Sequence, residues 1–166
     1  MTERADITIV RAGAERIDEL VYLYAALHEH HVSLAPDLAG RHGRTAAESW
    51  RRRRARYIEW LARPDAFLLL AESRGKLLGY AVVSPGPGMQ SWESQERIAD
   101  VHDIAVLPTH RRSGIGSQLL RATRDAARER GIGELRLMVI EANDDARRFY
   151  ERQGLAVVSH VMLDRL

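Results

Sequence analysis

Apolar positions along the chain switch between two spacings, and the switches outline the elements. Ile7 to Val10 is a short apolar run that predicts a first strand. From Ala14 to about His31 the apolar residues Ile17, Leu20, Val21, Tyr24 and Leu27 recur at helical spacing. Pro36, Gly40 and Gly43 then mark Ser33 to Arg44 as a loop. Thr45 and Glu48 stand three apart, as in a capping box, and open a second helix with Trp50, Tyr57, Ile58 and Leu61 as its expected buried face. Pro64 lies just past its end. Two strand-like runs follow, Ala66 to Ala71 and Leu77 to Val83, with turn residues Ser73-Arg74-Gly75-Lys76 between them.

Ser84 to about Glu96, with Pro85, Gly86, Pro87 and Gly88, reads as a long exposed loop. Arg97 to Leu107 predicts a fourth strand, stopped by Pro108. Gly114 to Arg130 is an amphipathic helix with Ile115, Leu119, Ala122 and Ala126 on one face and Gly131 as its cap. Glu134 to Ile140 predicts a fifth strand. Asn143 to Gln153 predicts a short helix with Asn143 as N-cap and Gly154 after its end. Leu155 to Leu163 predicts a last strand. The order is β-α-α-β-β-β-α-β-α-β, an α/β (α+β) chain with a mixed sheet covered by helices. At 166 residues, with no repeat or linker, residues 1–166 form one expected domain.

Composition narrows the function. Hydrophobic residues make up 45% and charged residues 29%, which excludes a disordered or collagen-like chain. The longest apolar run, Leu20 to Leu27, is too short to span a bilayer. Glu3, Arg4 and Asp6 stand where an export signal would need an apolar core, so a cytoplasmic protein without membrane contact is expected. There are no cysteines, hence no disulfide, thiolate nucleophile or Cys-ligated zinc. The net charge is only +2, and Lys76 is the sole lysine among 25 basic residues. Arginine stays charged at any accessible pH, so a basic isoelectric point says little here about nucleic acid.

The segment richest in chemistry is Asp103-Ile-Ala-Val-Leu-Pro-Thr-His-Arg-Arg-Ser-Gly-Ile-Gly116. A strand ends, a turn rich in Arg and Gly follows, and a helix opens. Unpaired amides and the helix dipole favour an anion there, Gly114 and Gly116 permit close backbone approach, and Arg111 and Arg112 add fixed charge. This turn should cradle a phosphate or pyrophosphate. A dinucleotide fingerprint needs a third glycine where Leu119 stands, and a P-loop needs a lysine.

The spacing Arg111-Arg-Ser-Gly114-Ile-Gly116, with Pro108 three residues before, resembles the signature of the GNAT superfamily of N-acetyltransferases. A second match follows: Asn143-Asp-Asp-Ala146-Arg-Arg-Phe149-Tyr150-Glu151-Arg-Gln-Gly154-Leu155 is similar to the family's Asn-x-x-Ala-x-x-Phe-Tyr-Glu-x-x-Gly-Phe, with Leu155 as the departure. The resemblance covers roughly residues 66 to 160. The first 65 residues fit only in their strand–helix–helix order.

The resemblance implies acetyl-CoA as co-substrate and transfer of its acetyl group to a primary amine; with no cysteine to carry the acetyl group direct transfer is expected, and no metal is expected. It implies a cofactor-binding core over about 98–154, and acceptor-specific regions over about 14–65 and 84–97. The backbone of Ile104, Ala105 and Val106 would pair with the pantetheine arm, which requires strands four and five to splay apart, usually at a bulge. The amides of Arg111, Arg112, Ser113, Gly114, Ile115, Gly116 and Ser117 would hold the pyrophosphate. Asn143 matches a position that contacts the pantetheine arm, and Tyr150 the tyrosine that protonates the departing thiolate. The base is open: many members carry an acidic residue where this chain has His102, followed here by Asp103. Strand alternation would send His102 and Asp103 to opposite faces. Glu93, Glu96 and Asp100 are further candidates, and with Asp103 they would favour a cationic acceptor. The acceptor is an amine-bearing small molecule or protein, and a homodimer is expected from the family.

Other readings compete with this one. His28, His30 and His31 suggest a metal, but the H-E-x-x-H spacing is missing. Arg51 to Arg54 and Arg56 suggest nucleic acid, but consecutive residues spray around a helix, so a solvated face is expected instead. Trp92 is odd for an exposed loop and is a candidate for the acceptor pocket or a subunit contact. A CoA-binding module without turnover is a third reading, against which Tyr150 argues.

Overall fold

The computed structural model describes residues 6–166. Glu3 and Arg4, on which the expectation about export partly rests, lie outside the described residues. Strand β1 (Thr8–Ala12) leads into a 3-10 stretch, Ala14–Leu20, and helix α1 (Val21–Leu34). Helix α2 (Ala46–Leu61) follows, then β2 (Phe67–Ser73), β3 (Lys76–Pro87), β4 (Arg97–Val106), helix α3 (Ile115–Arg128), β5 (Leu135–Leu137) and helix α4 (Asp144–Arg152). The strands form one sheet in the order β1-β2-β3-β4-β5. The first four pair antiparallel, and β4 pairs with β5 in parallel.

Both faces of the sheet are buried, so its central strands read as continuous apolar runs rather than alternating ones. On one face Leu69, Ala71, Ala81 and Val83 pack with Ile115, Leu119 and Ala126 of α3. On the other, Leu68, Leu70, Tyr80 and Val82 pack with Ile17, Leu20 and Leu23, and with Tyr57 and Trp60 of α2. Local chemistry sets the joints. The Thr45 hydroxyl caps α2 by accepting from the Glu48 amide at 3.2 Å. The carboxylate of Glu48 does not return the bond; it meets Arg44 and Arg52 instead. Arg74 and Gly75 both take positive φ, as the two-residue turn between β2 and β3 requires.

Three expectations need correction. The loop thought to begin at Ser84 begins at Gly88. Strand β3 continues through Pro85 and Pro87, which pair with Ala99 and Arg97. Beyond Val83, β3 has lost its β2 neighbour, so a proline without an N–H is tolerated on that edge. The buried face of α2 uses Trp60, whereas Ile58 is exposed. The last strand, Leu155 to Leu163, does not form: after Gly154 the chain runs without regular structure. The tail instead reaches the loop between α1 and α2, where Arg41 Nη2 donates to the Asp164 carbonyl at 2.9 Å and Arg165 Nη2 to the Gly40 carbonyl at 3.0 Å. Among the described residues, no helix is long and apolar enough to cross a membrane.

Candidate active site

The strand that matters most is β4, and one extra residue decides what it presents. Val101 pairs with Val83 and Asp103 pairs with Val82, so His102 is the additional residue of a β-bulge. The bulge inverts the alternation. Before it, Ala99 and Val101 face the α3 side; after it, Ile104 and Val106 take that side, and Ala105 packs on the α1–α2 side. His102 and Asp103 therefore both reach the α1–α2 side, against the expectation that they point to opposite faces. Trp60 stacks on His102 with centroids 3.5 Å apart and planes 2° from parallel.

At the same level β4 and β5 part. Their pairing covers Ala99–Leu135, Asp100–Arg136 and Val101–Leu137, then stops. The expected splay is thus present, and the edges of Ile104, Ala105 and Val106 that would face β5 are open. A cleft of about 1010 Å³ fills the fork. Its walls include His31, His102 and Asp103 at one end, and Arg111, Gly114 and Arg148 at the other.

The far end is built by backbone. Arg112 (φ 61) and Gly114 (φ 88) are both left-handed, which turns the chain sharply into α3. The first hydrogen bond of α3 runs from the Gln118 amide to the Gly114 carbonyl, at 3.0 Å. The amides of Ile115, Gly116 and Ser117 are left over, as at any helix start. Gly116 lets Phe149 of α4 close in: a Cβ there would meet the ring at 3.4 Å. Ser113 tightens the turn by donating to the His110 carbonyl at 2.5 Å. Asn143 is buried and caps α4 by accepting from the Ala146 amide at 3.2 Å. All these residues, with Tyr150, stand in or beside the cleft.

The near end is built by side chains. The Asp103 side chain is only 7% exposed. Its Oδ2 accepts from the Tyr57 hydroxyl at 2.6 Å and lies 3.6 Å from Arg53 Nη1. The Tyr57 hydroxyl is also 2.8 Å from that of Tyr80, closing a buried chain. Burial pushes the Asp103 carboxyl above the usual carboxylate range, while Arg53 and Tyr57 pull it back. Asp103 Oδ1 has no partner among the described residues. Burial, reinforced by the charge of Asp103, pushes Tyr150 up to about 12, so it holds its proton at neutral pH. Burial lowers His102 to about 4. Burial and cationic neighbours do the same to His31.

The other candidates disperse. Asp100 is locked to Arg136 by two bonds, at 2.8 and 3.0 Å. Glu93 and Glu96 belong to the exposed β3–β4 loop and do not line the cleft, so the acidic acceptor cluster does not assemble. Trp92 is 70% exposed and does not line the cleft. In the arginine run, Arg52, Arg54 and Arg56 each face a carboxylate, which favours a solvated, charge-paired helix face, while Arg53 turns inward to Asp103. His28 Nε2 lies 2.8 Å from the Arg44 carbonyl, while His30 and His31 line the cleft. Among the described residues no group of three metal-type side chains converges. Sequence reasoning missed Trp60 and Ser84. The i, i+3 step from Tyr57 could have flagged Trp60; nothing local flags Ser84.

The sequence profile of the acetyltransferase (GNAT) family matches residues 24–155. The chain belongs to that family. A streptothricin acetyltransferase of Streptomyces lavendulae is 42% identical over 82 residues, covering 49% of this chain and 40% of the relative. An uncharacterised N-acetyltransferase of Archaeoglobus fulgidus is 31% identical over 103 residues, covering 60% and 67%. The chain therefore spans two fifths to two thirds of the length of these relatives. A GCN5-related N-acetyltransferase from Ralstonia eutropha shares the fold, with a TM-score of 0.75 at 20% identity over 96% of this chain and 98% of the other. So does the aminoglycoside N-acetyltransferase AAC(6')-Iy in complex with CoA, with a TM-score of 0.68 at 16% identity over 100% and 98%.

Proposed function

We propose that the protein transfers the acetyl group of acetyl-CoA directly to a primary amine. The observation that carries this is the fork between β4 and β5. It joins a turn of free amides to a buried carboxylate with one open oxygen, in a single cleft. The residues present fit the co-substrate. Open strand edges at Ile104, Ala105 and Val106 suit an amide-bearing arm, and the left-handed turn at Arg112 to Gly114 suits a pyrophosphate. Arg111, Arg112 and Ser113 with the amides of Ile115 to Ser117 would hold the phosphates, and Asn143 the arm.

Bound there, acetyl-CoA supplies an activated acetyl thioester. Asp103 Oδ1 takes a proton from the incoming ammonium, so that nitrogen has a lone pair for the carbonyl carbon. Its raised pKa brings it closer to the amine it must deprotonate. As the carbon–sulfur bond breaks, the Tyr150 hydroxyl gives its proton to the sulfur, and the phenolate it leaves takes the second proton from the acylated nitrogen, so that a neutral amide and a neutral thiol depart. A chain without cysteine has no thiol to carry the acetyl group, which favours a direct transfer.

The acceptor belongs to this proposal as well. The streptothricin and aminoglycoside enzymes act on amine-bearing molecules, and such amines are the first to try. Two further parts of the reading are a cytoplasmic location, where acetyl-CoA is at hand, and a homodimer. Exposed Val157, Val158, Val161 and Met162 and the unpaired edge of β5 favour the dimer, which sedimentation would check. Isothermal titration with acetyl-CoA, with NADPH as comparison, tests the site. Micromolar acetyl-CoA binding with none for NADPH is expected, followed by thiol release in the presence of amines. No acetyl-CoA binding would overturn the reading.

A further inference from the structure

His102 is gripped on two sides. Trp60 covers one face of its ring at 3.5 Å, and its Nε2 lies 2.8 Å from Ser84 Oγ. Ser84 is fully buried. Among the described residues, its hydroxyl has no hydrogen-bond partner other than that nitrogen. A buried hydroxyl proton without an acceptor is unfavourable. If Nε2 carried a proton, it would donate to Ser84 Oγ, and the serine proton would have nowhere to go. If Nε2 is bare, the serine donates and both groups are satisfied. The neutral ring must then carry its proton on Nδ1.

We infer that Ser84 holds His102 as the neutral Nδ1–H form, so that His102 offers the cleft a hydrogen-bond donor rather than a base. His102 lines the cleft, and Nδ1 is neither hydrogen-bonded to a described residue nor sealed from solvent. The donor stands next to Asp103, which takes the amine. The acceptor that satisfies both groups is an amine with a hydrogen-bond-accepting oxygen close by, such as an amino alcohol or an amino sugar. The charged groups around the ring agree with a neutral imidazole. Arg53, Arg56 and Arg63 repel a proton, and Asp100, which would attract one, is tied to Arg136. The form of the ring stands apart from catalysis; its role toward the acceptor rests on the acetyl-transfer reading.

Ser84 is a positioning residue, and the test reads the ring directly. Two-bond proton–nitrogen correlation spectra of the ¹⁵N-labelled protein at pH 7, assigned with His102→Phe, should show Nδ1 protonated and Nε2 bare. A protonated Nε2, or both nitrogens protonated, overturns the inference. In Ser84→Ala the ring should leave the pure Nδ1–H pattern; an unchanged pattern removes Ser84 from the account. With CoA present, ethanolamine should shift the Nδ1 resonance and propylamine should not. Equal shifts, or none with either amine, overturn the donor role. The expected ring form in a protein that fails to bind acetyl-CoA would defeat the transfer reading alone.

Discussion

The two ends of the cleft are made of different material. At the α3 end the work falls to backbone: left-handed φ angles at Arg112 and Gly114 and amides left over by the helix start. At the α1–α2 end it falls to side chains drawn from distant segments: Arg53 and Tyr57 from α2, Tyr80 from β3, His102 and Asp103 from β4. A backbone anion site tolerates many side chains but few conformations. A side-chain site is the reverse. The first should fail through φ and ψ, the second through single functional groups.

The sharpest break should come from Gly114→Val. A β-branched residue at φ 88 is strained whatever the space around it. Acetyl-CoA affinity should fall by about a hundredfold or more in calorimetry, while circular dichroism reports a folded chain. Asp103→Asn comes next. It keeps the shape and removes the proton acceptor, so kcat should drop by roughly 10²–10³ with acetyl-CoA affinity nearly unchanged. Tyr150→Phe should lower kcat by roughly tenfold to a hundredfold, again without weakening acetyl-CoA. An equal loss of affinity in either variant would erase the distinction between the ends.

Acid should act on the side-chain end. His31 and His102 are lowered to about 4 in the folded chain, against about 6.5 when unfolded. Between those values the unfolded chain binds more protons, so stability falls as pH drops from about 6.5 toward 4. Asp103 works the other way, because its raised carboxyl binds a proton earlier when folded. Thermal melts from pH 7 to 4.5 should show a decline that flattens in a His31→Gln, His102→Gln variant. The smallest effect should come from removing residues 157–166. Most of these are exposed, and Met162 is 92% exposed. At protein concentrations too low for a dimer, the melting temperature should move by only about 1–2 °C, in keeping with changes on open surface, and at higher concentrations the shortened chain should sediment as a monomer.

What the sequence made legible follows the same division. The α3 turn is contiguous, and its glycines and arginines stand in order, so the sharp turn at Arg111 to Ser117 and the helix start behind it could be read before any fold was known. Asn143 and Tyr150 were reachable because α4 follows within one short stretch. The α1–α2 end depends on contacts between residues far apart in the chain. Trp60 meets His102 only after α2 has folded over β4. The bulge at His102 leaves no mark in composition, since His-Asp in a strand is ordinary; only the register with β3 reveals it. The missing last strand misled for the opposite reason. Val157, Val158, Val161 and Leu163 have strand-like chemistry, yet the tail is tied to Gly40 and Arg41 rather than to β5.

The bulge carries one more consequence. Because it adds a residue to β4 without adding one to β3, it acts as a frameshift in the pleat. No exchange of one side chain for another could place two successive residues of β4 on one layer of the molecule. Loss of His102 as a whole residue would restore strict alternation and leave Asp103 facing Tyr57, so the extra residue is what sets a ring beside the carboxylate on the same face. The chemistry of this cleft is therefore set by a length as much as by a composition, and such a trait can be gained or lost only by insertion or deletion.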